Sequence, residues 1–135
     1  MQHTVTYLGL IPLMPLVGAV VMGLMHMFTC TGRRISEKVY SFLAVIGPVL
    51  ATILALKTFL ELRQMPEEAR YLSQKVFTWF NVGELDVAMG FLADPLSVLM
   101  LLFVTFIGTL IHFYSIGYMA EDENYGKFFA YLNLF

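Results

Sequence analysis

The sequence predicts an all-α membrane protein: three transmembrane helices and the start of a fourth, with a small extramembrane β-hairpin between helices 2 and 3. Three observations predict it. Of the 135 residues, 59 % are apolar and only 13 % are charged, whereas a soluble domain is about 45–50 % apolar and about 25 % charged. A water-soluble chain this short could not hide so much apolar surface, because small folds leave much of their surface open. The apolar residues also gather into runs of spanning length, and one stretch between two runs switches to the alternation of a strand.

The first run, Leu8 to Phe28, has 21 residues and no charge. As a helix it reaches about 31 Å, which matches a hydrocarbon core of about 30 Å. A cleaved signal peptide would carry basic residues before its apolar stretch. Here the chain opens MQHTVTY and the basic residues come afterwards, so the run reads as a retained helix. Pro12 and Pro15 lie in its first half, where membrane helices tolerate proline because neighbours can satisfy the freed carbonyls.

A polar turn, CTGRRISEK, leads to the second run, Val39 to Leu60. Gly47-Pro48 near its middle predicts a kink. Lys57 is its one charge. Near the end of the run, its ammonium can snorkel to the interface, and a proton-relay lysine is the sharper alternative.

Glu61 to Ala93 begins charged and then alternates, with Leu85, Val87, Met89 and Phe91 on one side and Asp86, Ala88 and Gly90 on the other. That is strand periodicity. With VFTWF before it and Asn81-Val82-Gly83-Glu84 as the turn, it predicts a hairpin at the membrane surface, where Trp79 and its aromatic neighbours suit the interface. Two strands alone are marginal, so the hairpin is expected to lean on other protein.

Asp94-Pro95 announces the third helix: aspartate is a good N-cap and proline fits the first helical position. The run continues to about Met119. After the polar AEDENYGK, the chain ends in FFAYLNLF, a fourth run that stops after two turns, so the chain is expected to be a piece of a longer protein. The organisation read from this is a helix pair over residues 1–60, an external loop over 61–93 and the truncated start of a further helical domain over 94–135. Arg33, Arg34 and Lys38 form the densest basic cluster. By the positive-inside rule they face the cytoplasm, which places the N-terminus and the hairpin outside.

Few residues could carry chemistry. The net charge is −2 and no basic run suggests nucleic acid. Cys30, the single cysteine, and three scattered histidines do not make a metal-ligand set. No catalytic, cofactor-binding or metal residue is assigned. On the third helix, Thr105, Gly108, His112 and Ser115 follow steps of three, four and three, so they share one face, with Thr109 beside them. Small and polar residues on one face of a membrane helix mark a packing surface, here Thr105, Gly108 and Ser115. His112 is the possible proton relay, since an ionisable residue at depth is a candidate by default, and a neutral hydrogen-bonded histidine is the ordinary reading. His26 lies nearer its membrane face. Asp94 reads as a helix cap rather than an intramembrane carboxylate.

From Phe91 onward the pieces Asp94-Pro95-Leu96-Ser97, Leu110-Ile111-His112-Phe113-Tyr114-Ser115, Gly117-Tyr118-Met119 and Phe128 to Phe135 come in one order. This stretch resembles the N-terminal signature of chain 5, or subunit L, of respiratory complex I, the proton-pumping NADH:quinone oxidoreductase. The resemblance implies a membrane subunit of a translocase that couples quinone reduction elsewhere in the complex to proton transport. It implies many more helices, other membrane subunits as partners, and flavin and iron–sulfur clusters on those partners rather than on this chain. Its charged channel residues lie beyond Phe135, and it assigns His112 no proton role. The same pattern occurs in multi-subunit cation/proton antiporters and membrane-bound hydrogenases, which remain alternatives together with a small structural scaffold. The membrane expected is a bacterial inner membrane, with the mitochondrial inner membrane as the alternative.

Overall fold

In the computed structural model, residues 3–29 and 35–135 are described. Cys30, Arg33 and Arg34 lie outside the described residues. The elements run β1 (His3–Thr4), α1 (Leu10–Thr29), α2 (Glu37–Gln64), a single 3-10 turn (Glu67–Ala69), β2 (Leu72–Val82), β3 (Leu85–Ala93), α3 (Pro95–Tyr118) and α4 (Tyr125–Leu134).

Three helices, α1, α2 and α3, are long and apolar enough to cross a membrane. At 28 residues α2 is the longest, about 42 Å from end to end. It starts before Val39 and continues past Leu60, so Lys57, Glu61 and Arg63 ride on its last turns. It also continues through Gly47-Pro48 without interruption.

α2 is the hub, packing against α1, α3 and α4, while α1 also packs on α4. The reason is written along one face: Tyr40, Ala44, Gly47, Pro48, Ala51, Ala55, Thr58 and Leu62 are buried. They recur at helical spacing and are mostly small, which lets helix backbones approach when no water is present to drive association. The backbones of α1 and α2 come close at Gly47, where an added Cβ would stand 2.9 Å from the Met14 carbonyl oxygen and 3.1 Å from Pro15 Cα. The outward faces remain apolar and open, among them Val17, Val20, Phe42, Ile53, Phe103 and Phe113. This arrangement suits lipid rather than water.

The hairpin forms where alternation placed it, with a tighter turn than expected. Val82 pairs with Leu85, so the loop is only Gly83-Glu84, and Asn81 and Val82 stay in the strand. Gly83 has φ +63°, a conformation that two-residue hairpin turns require and that glycine adopts without strain. Two register shifts, at Lys75/Phe77 and Thr78/Phe80, break the simple two-sided pattern. Trp79, Phe77, Val82, Leu85 and Leu92 are all more than half exposed, so apolar side chains stand open on both faces.

Sequence alternation did not find β1. It pairs in parallel with the root of β2, His3 opposite Leu72 and Thr4 opposite Ser73. Two residues are too few for a periodic signal. Polar side chains hold this region instead. Gln74 accepts from the Gly9 backbone N–H at 2.8 Å and donates to the Thr6 carbonyl at 3.0 Å. Tyr7 donates its hydroxyl to Glu61, while Lys57 pairs with Glu61 at 3.6 Å and lies 4.2 Å from the centre of the Tyr7 ring. Burial and the Glu61 hydrogen bond push the Tyr7 phenol up to about 12, so it keeps its proton and remains a donor at physiological pH.

The other difference lies at α4. It begins at Tyr125, inside the stretch read as a polar loop. Gly126 and Phe129 are buried there because the helix docks on α2, with Tyr40 against Gly126. Tertiary contact, not local polarity, sets that boundary.

Candidate functional site: a polar node where α4 meets α2

Proline has no N–H, so a proline inside a helix leaves the carbonyl four residues earlier without its donor. In α2 that carbonyl belongs to Ala44. Asn133 of α4 supplies the missing bond: its Nδ2 donates to the Ala44 carbonyl at 3.1 Å and to the Phe129 carbonyl of its own helix at 3.1 Å. Asn133 is only 4 % exposed. On α1, Gly18 faces it, with a Cβ position 3.2 Å from Asn133 Oδ1. Three helices therefore meet where α2 lacks a backbone hydrogen bond.

One turn further along α2, Thr52 extends the polar contacts. Its hydroxyl donates to the Pro48 carbonyl at 2.9 Å and lies 2.9 Å from the Thr109 hydroxyl of α3. Thr109 also bonds the Thr105 carbonyl, and Thr105 the Leu101 carbonyl, each at 2.8 Å. His112 follows on the same face, 5 % exposed, with Nδ1 2.7 Å from the Gly108 carbonyl. Its ring lies 6.5 Å from that of Phe129 on α4.

The face of α3 turned into the protein is thus Val98, Thr109, His112 and Ser115. Thr105 is half-buried beside it. Gly108 lies at the edge of that face. An added Cβ there meets nothing within 4 Å among the described residues. The reason is rotational: Thr109, one residue on, points at α2, and Gly108 borders an open groove. That groove has a volume of about 940 Å³ and is lined by Pro15, Pro48, Thr105, Gly108, His112 and Asn133 among others.

Asp94 caps α3. Its carboxylate accepts from the Ser97 backbone N–H at 2.7 Å, while the Ser97 hydroxyl accepts from the Asp94 N–H at 2.9 Å. The Ser97 side chain and backbone hold the Asp94 carboxyl below its ordinary value. Lys57 sits with Glu61 and Tyr7 at the hairpin end. His26 lines a smaller recess with Lys127 and Tyr131 at the other end of α1. Among the described residues no three His, Cys, Asp or Glu side chains gather as metal ligands.

Asn133 is the residue that sequence reading passed over. The signal was there in part: a proline inside a membrane helix implies an orphaned carbonyl, and an asparagine in an apolar run implies a partner. That the two would meet, 89 positions apart, is a fact of tertiary packing.

Residues 79–129 match the family model described as NADH-Ubiquinone oxidoreductase (complex I), chain 5 N-terminus. Along its whole length the chain is 38 % identical to NAD(P)H-quinone oxidoreductase subunit 5, chloroplastic, of Zygnema circumcarinatum, and covers 19 % of that protein. It is 33 % identical to the protein of the same description from Lolium perenne and 30 % identical to that from Citrus sinensis, covering 18 % of each. The chain thus spans about a fifth of the length of these relatives.

Proposed function

We propose that this chain, similar along its whole length to NAD(P)H-quinone oxidoreductase subunit 5, is the opening part of the antiporter-like membrane subunit of a proton-translocating NAD(P)H:quinone oxidoreductase. The observation that carries the reading is the matched segment 79–129, which includes the end of the hairpin and the aspartate-capped α3. In this role the chain binds no nicotinamide nucleotide. Flavin and iron–sulfur clusters reside on partner subunits, and the quinone is used by the complex. Its partners are the other membrane subunits and the lipid bilayer, not nucleic acid.

The proton path itself belongs to later helices. An isolated charge within hydrocarbon costs several kcal/mol or more, so a path needs water and ionisable groups along it. The ionisable groups here lie toward the two ends: Lys57 and Asp94 at the hairpin end, His26 and His112 toward the other. The membrane we assign is a bacterial inner membrane with the N-terminus outside. The chloroplastic names of the relatives favour a plastid membrane as the second reading.

Deleting the gene and measuring acidification of inverted membrane vesicles tests the function. NAD(P)H-driven, quinone-linked acidification should be lost and return with the full-length gene. Unchanged acidification, with cation/proton exchange lost instead, would assign the chain to an antiporter. For orientation, single cysteines at Ser36 and Glu67 in a Cys30-free background should label oppositely with an impermeant thiol reagent. Labelling of Ser36 from outside, with Glu67 protected, would invert the topology.

A further inference from the structure

A hairpin joined to helices at its two ends still has to be aimed. On one side, residues 65–71 link α2 to β2. Arg70 braces that link from within: its Nε donates to the Met65 carbonyl at 3.0 Å and its guanidinium lies 3.9 Å from Glu67. On the other side, Asp94 alone separates β3 from α3. Even one residue carries two soft backbone torsions, enough for a swing. Burial of the root does not settle the angle. Leu72 and Ala93 sit in an apolar cluster with Leu8, Ile11, Leu62 and Val98, and apolar burial is non-directional. Hydrogen bonds are directional, and the root of β2 makes them to the segment before α1.

We infer that residues 3–9 are a strap that fixes the angle of the hairpin on the helices, with Gln74 as its positioning residue. His3 and Thr4 pair with Leu72 and Ser73, and the Val5 N–H donates to the Ser73 carbonyl at 3.0 Å. Gln74 then spans the next turn of the strap. Its Nε2 donates to the Thr6 carbonyl at 3.0 Å, and its Oε1 accepts from the Gly9 N–H at 2.8 Å. Those partners fix which way the amide lies, since a carbonyl only accepts and an N–H only donates. Gly9 immediately precedes α1. In a capping box, a glutamine or glutamate of the helix's own first turn satisfies the N–H at this position. Here a strand residue 65 positions away does so. The Phe91 ring of β3 lies against Gly9, 3.2 Å from where a Cβ would stand. Tyr7 of the same strap donates to Glu61 of α2. The hairpin is thus held at three points: to α3 through Asp94, to α1 through Gln74 and to α2 through Tyr7. A push on the hairpin is passed to the helices instead of being absorbed at its joints. None of these contacts depends on the proposed function.

The test uses the full-length protein in lipid nanodiscs, without cysteines except a spin-labelled pair. The labels replace Val82, 70 % exposed near the hairpin tip, and Val20, 55 % exposed on α1. Electron paramagnetic resonance reads the distance between them. The strap predicts one narrow distance distribution with Gln74 in place and a broad one in Gln74→Leu. Asp86→Ala removes the 3.3 Å contact with Lys75 inside the hairpin, and its distribution should stay narrow. A Gln74→Leu distribution as narrow as that with Gln74, or equal broadening by Asp86→Ala, would overturn the proposal. If Gln74→Leu fails to insert, hydrogen exchange of the unsubstituted protein decides. The Val5 and Gly9 amides should exchange as slowly as the paired amides of β2. Exchange at either as fast as in a short unfolded peptide would overturn the strap.

Discussion

Around Asn133 the helix bundle hides hydrogen-bonding groups and leaves its apolar side chains outside. Along β2 and β3 the opposite holds: apolar side chains stand open on both faces, and the polar contacts gather at the root, where Gln74, Tyr7 and Glu61 tie the strands to α1 and α2. The contrast shows two kinds of incompleteness. The helices are finished on the side of α2 and need only lipid or further helices outside. The hairpin has no finished side. Exposed apolar patches of that kind mark contact surfaces, and a two-stranded ribbon is marginal without cover.

The largest effect on this contrast should come from Gly47→Leu. The Met14 carbonyl and Pro15 Cα occupy the space a side chain would need, and backbone cannot swing aside as a flexible side chain can. Overpacking costs typically 1–3 kcal/mol, occasionally more, so this variant should fail to assemble or unfold at much lower temperature in detergent. Wild-type Tm would show that the α1–α2 contact is looser than described.

Asn133→Leu comes next. It leaves the Ala44 carbonyl buried and bare, a loss of about 1–3 kcal/mol. Pro48→Ala sharpens the point, since an alanine N–H at 48 can return to Ala44. In that background Asn133→Leu should cost clearly less, and equal costs in both backgrounds would separate Asn133 from the proline.

Gly108→Leu should do little to this chain by itself, because its Cβ position is open. Loss of the larger complex with this variant, while the full-length subunit still inserts and resists protease, would show that another element covers the groove there.

Asp94→Ala should have the smallest effect, confined to the start of α3. The Ser97 contacts lower the Asp94 pKa in the fold. Its contribution is therefore full above the unfolded value of about 3.9 and lost as pH falls below it. Wild type and Asp94→Ala should converge in Tm toward acid pH, and a difference that grows below pH about 4 would contradict the cap.

These regions also differ in how legible they were. Helices announce themselves by runs: α1, α2 and α3 were readable because lipid demands unbroken apolar length. Asp94-Pro95 announced a helix start because capping is a local reaction between neighbours. The hairpin was readable from alternation and Gly83, though its bulges hid the openness of both faces. For Gly108, spacing placed it on the small-residue stripe but could not say which edge of that stripe meets a helix of this chain. β1 and the Ala44–Asn133 bond were not readable at all, being made by residues far apart in sequence whose meeting depends on the whole packing of α1, α2 and α4.

The comparison is tested most directly at Trp79. A photo-crosslinking residue placed there in the full-length protein, irradiated in native membranes, reports what covers the hairpin. On the proposed function, the expected product is an adduct with another protein subunit. Adducts to lipid alone would contradict the account.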